Sequence, residues 1–82
     1  MKNIKKIYNF TAIFELAEEG GYVVYVPAIP GCMTQGETFE EAEMMAKDAI
    51  EGCLEVLKDM NEEIPTESDN FIITKIPAEI SR

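Results

Sequence analysis

The segment Gly31 to Thr38, GCMTQGET, comes nearest to having the spacing of a chemical site. Two glycines, then a hydroxyl leading into a helix, outline a phosphate-binding loop, in which backbone N–H groups cradle phosphate and a lysine neutralises it. Here Glu37 stands where that lysine is needed, so a carboxylate would face the phosphate oxygens. No later strand offers an Asp to hold magnesium. The segment is expected to be a turn followed by a helix cap, with no nucleotide in it.

Other candidate chemistries fail on equally specific grounds. Asp59, Asn61 and Glu63 place oxygen ligands at alternate positions, as a calcium loop does. Ile64 then occupies the position of the sharp-turn glycine, and Asn70 that of the closing bidentate glutamate. Cys32 and Cys53 have no basic residue or histidine beside them to lower a thiol pKa. Cys53 falls on an apolar helix face, where a buried inert thiol is expected; Cys32 follows a turn and is expected to be more exposed. Histidine is absent, which removes the commonest general base and zinc ligand. Carboxylates abound, but only Glu15 falls inside a strand, and two-metal chemistry needs acids converging from several elements. Asn9, Phe10 and Thr11 match the glycosylation pattern, yet sit mid-strand. Met44 and Met45 read as a helix edge. The expectation is a protein with no catalytic, metal or cofactor site.

What positions these residues is a short chain. Eighty-two residues hold one core, and such a domain buries only roughly 60 % of its unfolded surface. Small domains often add disulfides, metals or further chains. Two cysteines make no disulfide framework, so oligomerisation or a partner is the aid that remains. Seven basic against 16 acidic residues leave a net charge of -9. Nucleic-acid affinity depends on Lys and Arg displacing counterions, so a polyanion is excluded as a partner and a basic protein is favoured. The start, MKNIKKIYNF, has no apolar stretch long enough for a signal peptide, and no segment approaches the roughly 20 apolar residues of a membrane span. A cytoplasmic protein without membrane contact is expected.

Tyr8, Phe10, Ala12, Phe14 and Leu16 alternate with Asn9, Thr11, Ile13 and Glu15, the period of a strand with one apolar face. Glu18 to Gly21 breaks it with two residues able to take positive φ, as a hairpin requires. Tyr22 to Val26 is apolar on both faces and reads as a central strand. Ile29, Pro30, Gly31 and Cys32 fit a type II turn, and a short strand from Cys32 to Gln35 returns from it, ended by Gly36. Thr38 with Glu41 forms a capping box, each side chain satisfying the other's backbone N–H. Phe39, Ala42, Ala46, Ala49, Ile50, Cys53, Leu57 and Met60 then share one face of a helix of about six turns. Glu40, Glu41, Asp48, Glu51, Glu55 and Asp59 fall opposite. Asn61 to Asn70, acidic and containing Pro65, reads as a solvated loop. Phe71 to Ile76 reads as a last strand stopped by Pro77. The fold class is α+β, a small two-layer β-β-β-α-β domain with an antiparallel three-stranded hairpin sheet, one long amphipathic helix and a final strand.

One helix covers one sheet face. The other should then be polar, yet Ile13, Val23 and Tyr25 fall on it, which calls for a partner or a second copy.

The run from Gly21 to Glu55 resembles the core of the HicB-like antitoxin family. An aromatic and aliphatic strand leads into Pro27, Pro30, Gly31 and Cys32, then Thr34, Gly36, Thr38, Glu41 and Ala42 at a helix start. The resemblance implies a partial ribonuclease-H-like fold lacking the nuclease acids. It further implies an antitoxin that neutralises a small basic, mRNA-cleaving toxin of the HicA type, and self-association into a dimer or tetramer. Many members carry a C-terminal DNA-binding module; residues 1–82 are expected to form a single HicB-like domain without one. Pro27, Pro30, Gly31, Gly36, Thr38 and Glu41 are the structural motif. Ile13, Val23, Tyr25, Glu51 and Glu55 are the candidate partner-binding residues. The alternative is an orphan oligomeric regulator or scaffold with no toxin partner.

Overall fold

A computed structural model describes residues 6–81. Its elements are β1 (Ile13–Leu16), β2 (Tyr22–Tyr25), β3 (Met33–Gly36) and α1 (Phe39–Asp59). The three strands form one antiparallel sheet in the order β1-β2-β3, with β2 central. Phe14 pairs with Val24 and Val24 with Thr34, so these residues share a face. That face is the inner one: Val24 is fully buried against Ala42 and Ala46 of α1, with Ala12, Phe14 and Tyr22 packed around them.

The local signals act as their chemistry dictates. Gly20 and Gly21 take φ of 102° and 79° in the β1-β2 hairpin. Gly31 takes φ of 80° at the third position of the Pro30 turn, which the Cys32 N–H closes on the Ile29 carbonyl at 3.0 Å. Thr38 caps α1, its hydroxyl accepting from the Glu41 N–H at 3.1 Å. The return contact differs from the expected box. The Glu41 carboxylate accepts from the Glu37 N–H, one residue earlier than Thr38. α1 ends with Asn61 at φ 58°, its N–H bonded to Lys58 and that of Glu62 to Leu57, the left-handed stop that Asn supplies almost as readily as Gly.

Two small residues and a glycine set the spacing of the layers. A Cβ on Gly36 would lie 2.5 Å from the Ala42 nitrogen and 2.7 Å from its Cα. The start of α1 therefore lies directly on β3, with no side chain between the two backbones. A second cluster continues the core under the later half of α1. There Val26, Ile29 and Cys32 are buried against Phe10, Ala49, Ile50, Cys53 and Leu54. Phe39 closes the near end, its ring 4.5 Å from Phe14 and edge-on to Tyr22 at 6.0 Å.

Three expectations need correction. The first strand is shorter than its alternating pattern: residues 6–12 precede β1 without sheet pairing, and Phe10 and Ala12 pack into the core from this arm. The loop after α1 is tied down, because Glu67 accepts a hydrogen bond from the Thr11 N–H and Ile64 and Pro65 are half-buried. The last strand over 71–76 is not formed. These residues pair with nothing, and all of 68–81 is exposed. A β-rich sequence expresses a capacity to pair, and pairing requires an edge within reach.

The close contact at Gly36 predicts opposite outcomes for two glycine substitutions. Gly36→Ala should lower stability by about 1–3 kcal/mol through overpacking. Gly52→Ala, in α1 with open space around it, should raise it by about 0.5–1 kcal/mol through helix propensity. Urea denaturation followed by circular dichroism measures both.

Candidate functional site

The sheet face turned away from α1 is assembled by the strand register. Ile13, Tyr25 and Met33 lie opposite one another in one cross-strand row, and Glu15, Val23 and Gln35 in the next. No element of the described chain covers them. Ile13, Val23 and Tyr25 are half-buried, whereas Met33 is 59 % exposed. The Tyr25 hydroxyl donates to the Glu15 carboxylate across the two rows. That hydrogen bond, with lesser help from burial and from the charge of Glu15, raises the Tyr25 phenol above its ordinary range. The face is thus an apolar strip, edged by one acid that is already engaged.

Of the sequence-predicted residues, Ile13, Val23 and Tyr25 are brought together here. Glu51 and Glu55 are not. They are exposed on α1, on the other layer of the domain. Lys47 lies one turn before Glu51 and Lys58 just under one turn after Glu55, so this stripe carries both signs. The groove between α1 and the N-terminal arm is lined by Glu51 and Glu55 together with Lys6 and Lys58.

Acids gather without such compensation at the hairpin end of the molecule. Glu19 from the β1-β2 turn meets Glu37 and Glu41 from the start of α1 around a groove of about 410 Å³. The sequence reading missed this cluster because its members come from separate elements. Met33 was also missed. Its signal was the two-residue alternation through β3, which becomes an assigned face only when the pairing with Tyr25 is known.

A further surface lies between the Pro30 turn and the later half of α1. It is an apolar groove of about 740 Å³ walled by Ile29, Pro30, Cys53, Val56, Leu57 and Pro65. Val56 is 56 % exposed along it. Cys32, expected near the surface, is instead 4 % exposed. The hydrogen bond between the Cys32 N–H and Ile29 folds the turn under α1 and brings the two thiols into contact. Burial first, then the contact with Cys53, pushes the Cys32 thiol up to about 11. Among the described residues no three His, Cys, Asp or Glu side chains are grouped to hold a metal ion. No helix among them is long and apolar enough to cross a membrane.

The architecture thus holds a sheet covered on one side, a Pro-Gly turn packed under the helix, and a capped helix start on a glycine. A family model described as the HicB-like antitoxin of bacterial toxin–antitoxin systems matches residues 10–77. The chain belongs to the HicB-like antitoxin family. Its relatives fall in two size classes. UPF0150 protein Ta0767 of Thermoplasma acidophilum is 49% identical over 60 residues, 73% of this chain and 87% of that protein. Antitoxin HicB 1 of Photorhabdus laumondii is 45% identical over 62 residues, 76% of this chain but 40% of the relative. Antitoxin HicB of Escherichia coli K12 is 44% identical over 61 residues, 68% of this chain and 44% of the relative. The HicB-like region shared with these antitoxins is therefore less than half of their own length. Within residues 10–77, matched by the family model, fall the uncovered sheet face, the Pro30 turn and the start of α1.

The thiol environment has a consequence for alkaline stability. Folding raises the Cys32 pKa, so the native chain holds a proton that the unfolded chain gives up first. Its contribution is complete below the unfolded value of 9.0 and is lost as pH rises through about 11. The urea midpoint should fall across that interval, and less steeply in Cys32→Ala, as measured by denaturation at a series of pH values.

Proposed function

We propose that this protein is a non-catalytic antitoxin that binds and neutralises a small basic, mRNA-cleaving toxin of the HicA type. The observation that carries the reading is the row Ile13, Tyr25 and Met33, an apolar strip left uncovered on a chain of net charge -9. Membership of the family supports it, as do the names of the HicB relatives. Apolar surface supplies the driving force of association, and the opposite charge of the partner steers the encounter. Ile13, Val23, Tyr25 and Met33 form the docking strip. Glu51, Glu55 and the acids around Glu37 act at longer range on a basic partner. Neutralisation is by occlusion, the toxin's RNA-binding surface being covered, so no bond is made or broken by this chain. The protein works in the cytoplasm, where its RNA-cleaving target would act, and it self-associates as a dimer or tetramer.

The test mixes the purified protein with a HicA-type toxin from the adjacent reading frame and follows both complex formation and RNA cleavage. Complex formation with loss of cleavage is expected. A toxin that stays fully active and unbound would overturn the reading, as would RNA cleavage by this chain alone with magnesium or manganese. Val23→Glu should weaken binding by at least about tenfold, since it buries a charge in the strip. Reversing Glu51 and Glu55 to Lys should slow association severalfold at low salt and leave dissociation nearly unchanged, as read by stopped-flow or surface binding.

A further inference from the structure

The two cysteines of the chain come from elements that the sequence keeps apart and the fold brings together. Cys32 ends the Pro30 turn, and Cys53 sits in the later half of α1. Cys32 is 4 % exposed, enclosed with Val26 and Ile29. Cys53 is half-buried against that cluster, and its sulfur is within hydrogen-bonding reach of the Cys32 thiol. The chain has no third cysteine, so each thiol has only the other as a partner within the molecule.

Access to the pair is one-sided. Cys53 lies on the wall of the apolar groove between the Pro30 turn and α1, where Ala49 and Gly52 are its helix neighbours. Gly52 has open space where a side chain would stand, so a small molecule can reach the Cys53 sulfur from solvent. Cys32 lies behind that wall, in the core.

We propose that Cys32 and Cys53 form a reversible oxidation site, which closes to an intramolecular disulfide when the chain meets hydrogen peroxide. Cys53 acts first, because it is the thiol within reach. Its thiolate sulfur attacks one peroxide oxygen, the O–O bond breaks, and the departing hydroxide takes up the proton that the thiol released. Cys53 is then a sulfenic acid, and one water has formed. The Cys32 sulfur next attacks the Cys53 sulfur, the S–O bond breaks, and the Cys32 proton leaves with the hydroxyl as a second water. Two thiols are oxidised and one peroxide is reduced. Burial keeps the proton on Cys32, which unfits it for the first step and suits it to the second.

The crosslink ties the Pro30 turn to α1 and closes a loop that holds β3, the Thr38 cap and the contact of Gly36 with Ala42. Such a closure restricts the unfolded chain and so stabilises the fold. The thiols lie under α1, on the other side of the sheet from the Ile13, Tyr25 and Met33 strip. Their chemistry is therefore independent of toxin recognition.

The experiment exposes the whole chain, reduced beforehand, to hydrogen peroxide. Intact mass, peptide mapping and urea denaturation are followed before and after treatment with dithiothreitol. The expected product has lost two hydrogens, links the peptides that hold Cys32 and Cys53, and reverts on reduction. Its urea midpoint should exceed that of the reduced chain by at least about 1 M. In Cys32→Ala, dimedone should capture a sulfenic acid at Cys53 that it does not capture in the unsubstituted chain. In Cys53→Ala, oxidation of Cys32 should be at least about tenfold slower than that of Cys53 in Cys32→Ala. A chain that keeps both thiols, that carries Cys53 on to a sulfinic acid beside an unchanged Cys32, or that links only between molecules would overturn the proposal. So would a crosslink that lowers the urea midpoint. The mass and midpoint of the unsubstituted chain decide the matter even where a variant does not fold.

Discussion

Everything in this domain is referred to the contact between Gly36 and Ala42. Where a side chain would normally separate a helix from a sheet, the Ala42 backbone occupies the place of a Cβ at Gly36. The first turn of α1 is thereby held on β3, immediately after the Thr38 cap that begins it. Ala42 and Ala46 keep that approach close along the next turn, and Val24 is sealed beneath them. With β3 pinned, the strand register decides which residues look inward, and the Pro30 turn is drawn under the later half of the helix. A small domain has little apolar area to spend on stability, and this one concentrates it where the backbones are nearest.

The same economy leaves surface behind. A single helix shields one face of a three-stranded sheet, so a row of Ile13, Tyr25 and Met33 remains open on the other. A stable monomer would carry polar residues there. The chain belongs to a family of antitoxins, and on its own body an apolar strip lies uncovered beside a strong negative charge. Charge is distributed unevenly around that strip. The helix stripe bearing Glu51 and Glu55 is relieved by lysines, whereas Glu19, Glu37 and Glu41 crowd the hairpin end without such relief. Long-range attraction of a cation would be felt most strongly there, and short-range packing on the sheet.

How much of this could be read from the chain depends on the range of the interaction concerned. The Pro30-Gly31 turn, the Thr38 cap, the hairpin at Gly20-Gly21 and the apolar face of α1 were legible, because each is decided by residues within a turn of one another. Failures came where distant segments meet. The Glu67 carboxylate reaches Thr11 across more than fifty positions, which no local pattern announces. Cys32 was expected near the surface because it follows a turn, but the turn itself is folded inward beneath α1. Phe71 to Ile76 has the β-branching of a strand, yet it pairs with neither free edge of the sheet.

Sequence alone therefore determined the hairpin, the Pro30 turn, the capped helix, the two-layer class and the acidic balance. Tertiary structure decided which strand residues share the open face, that Met33 joins Ile13 and Tyr25, that both thiols meet in the core, and that the last apolar segment is left without a partner. The division has a physical cause. Capping, turn geometry and helical periodicity are satisfied by backbone groups a few residues apart, whereas faces, edges and burial exist only once β1, β2, β3 and α1 have been placed against one another.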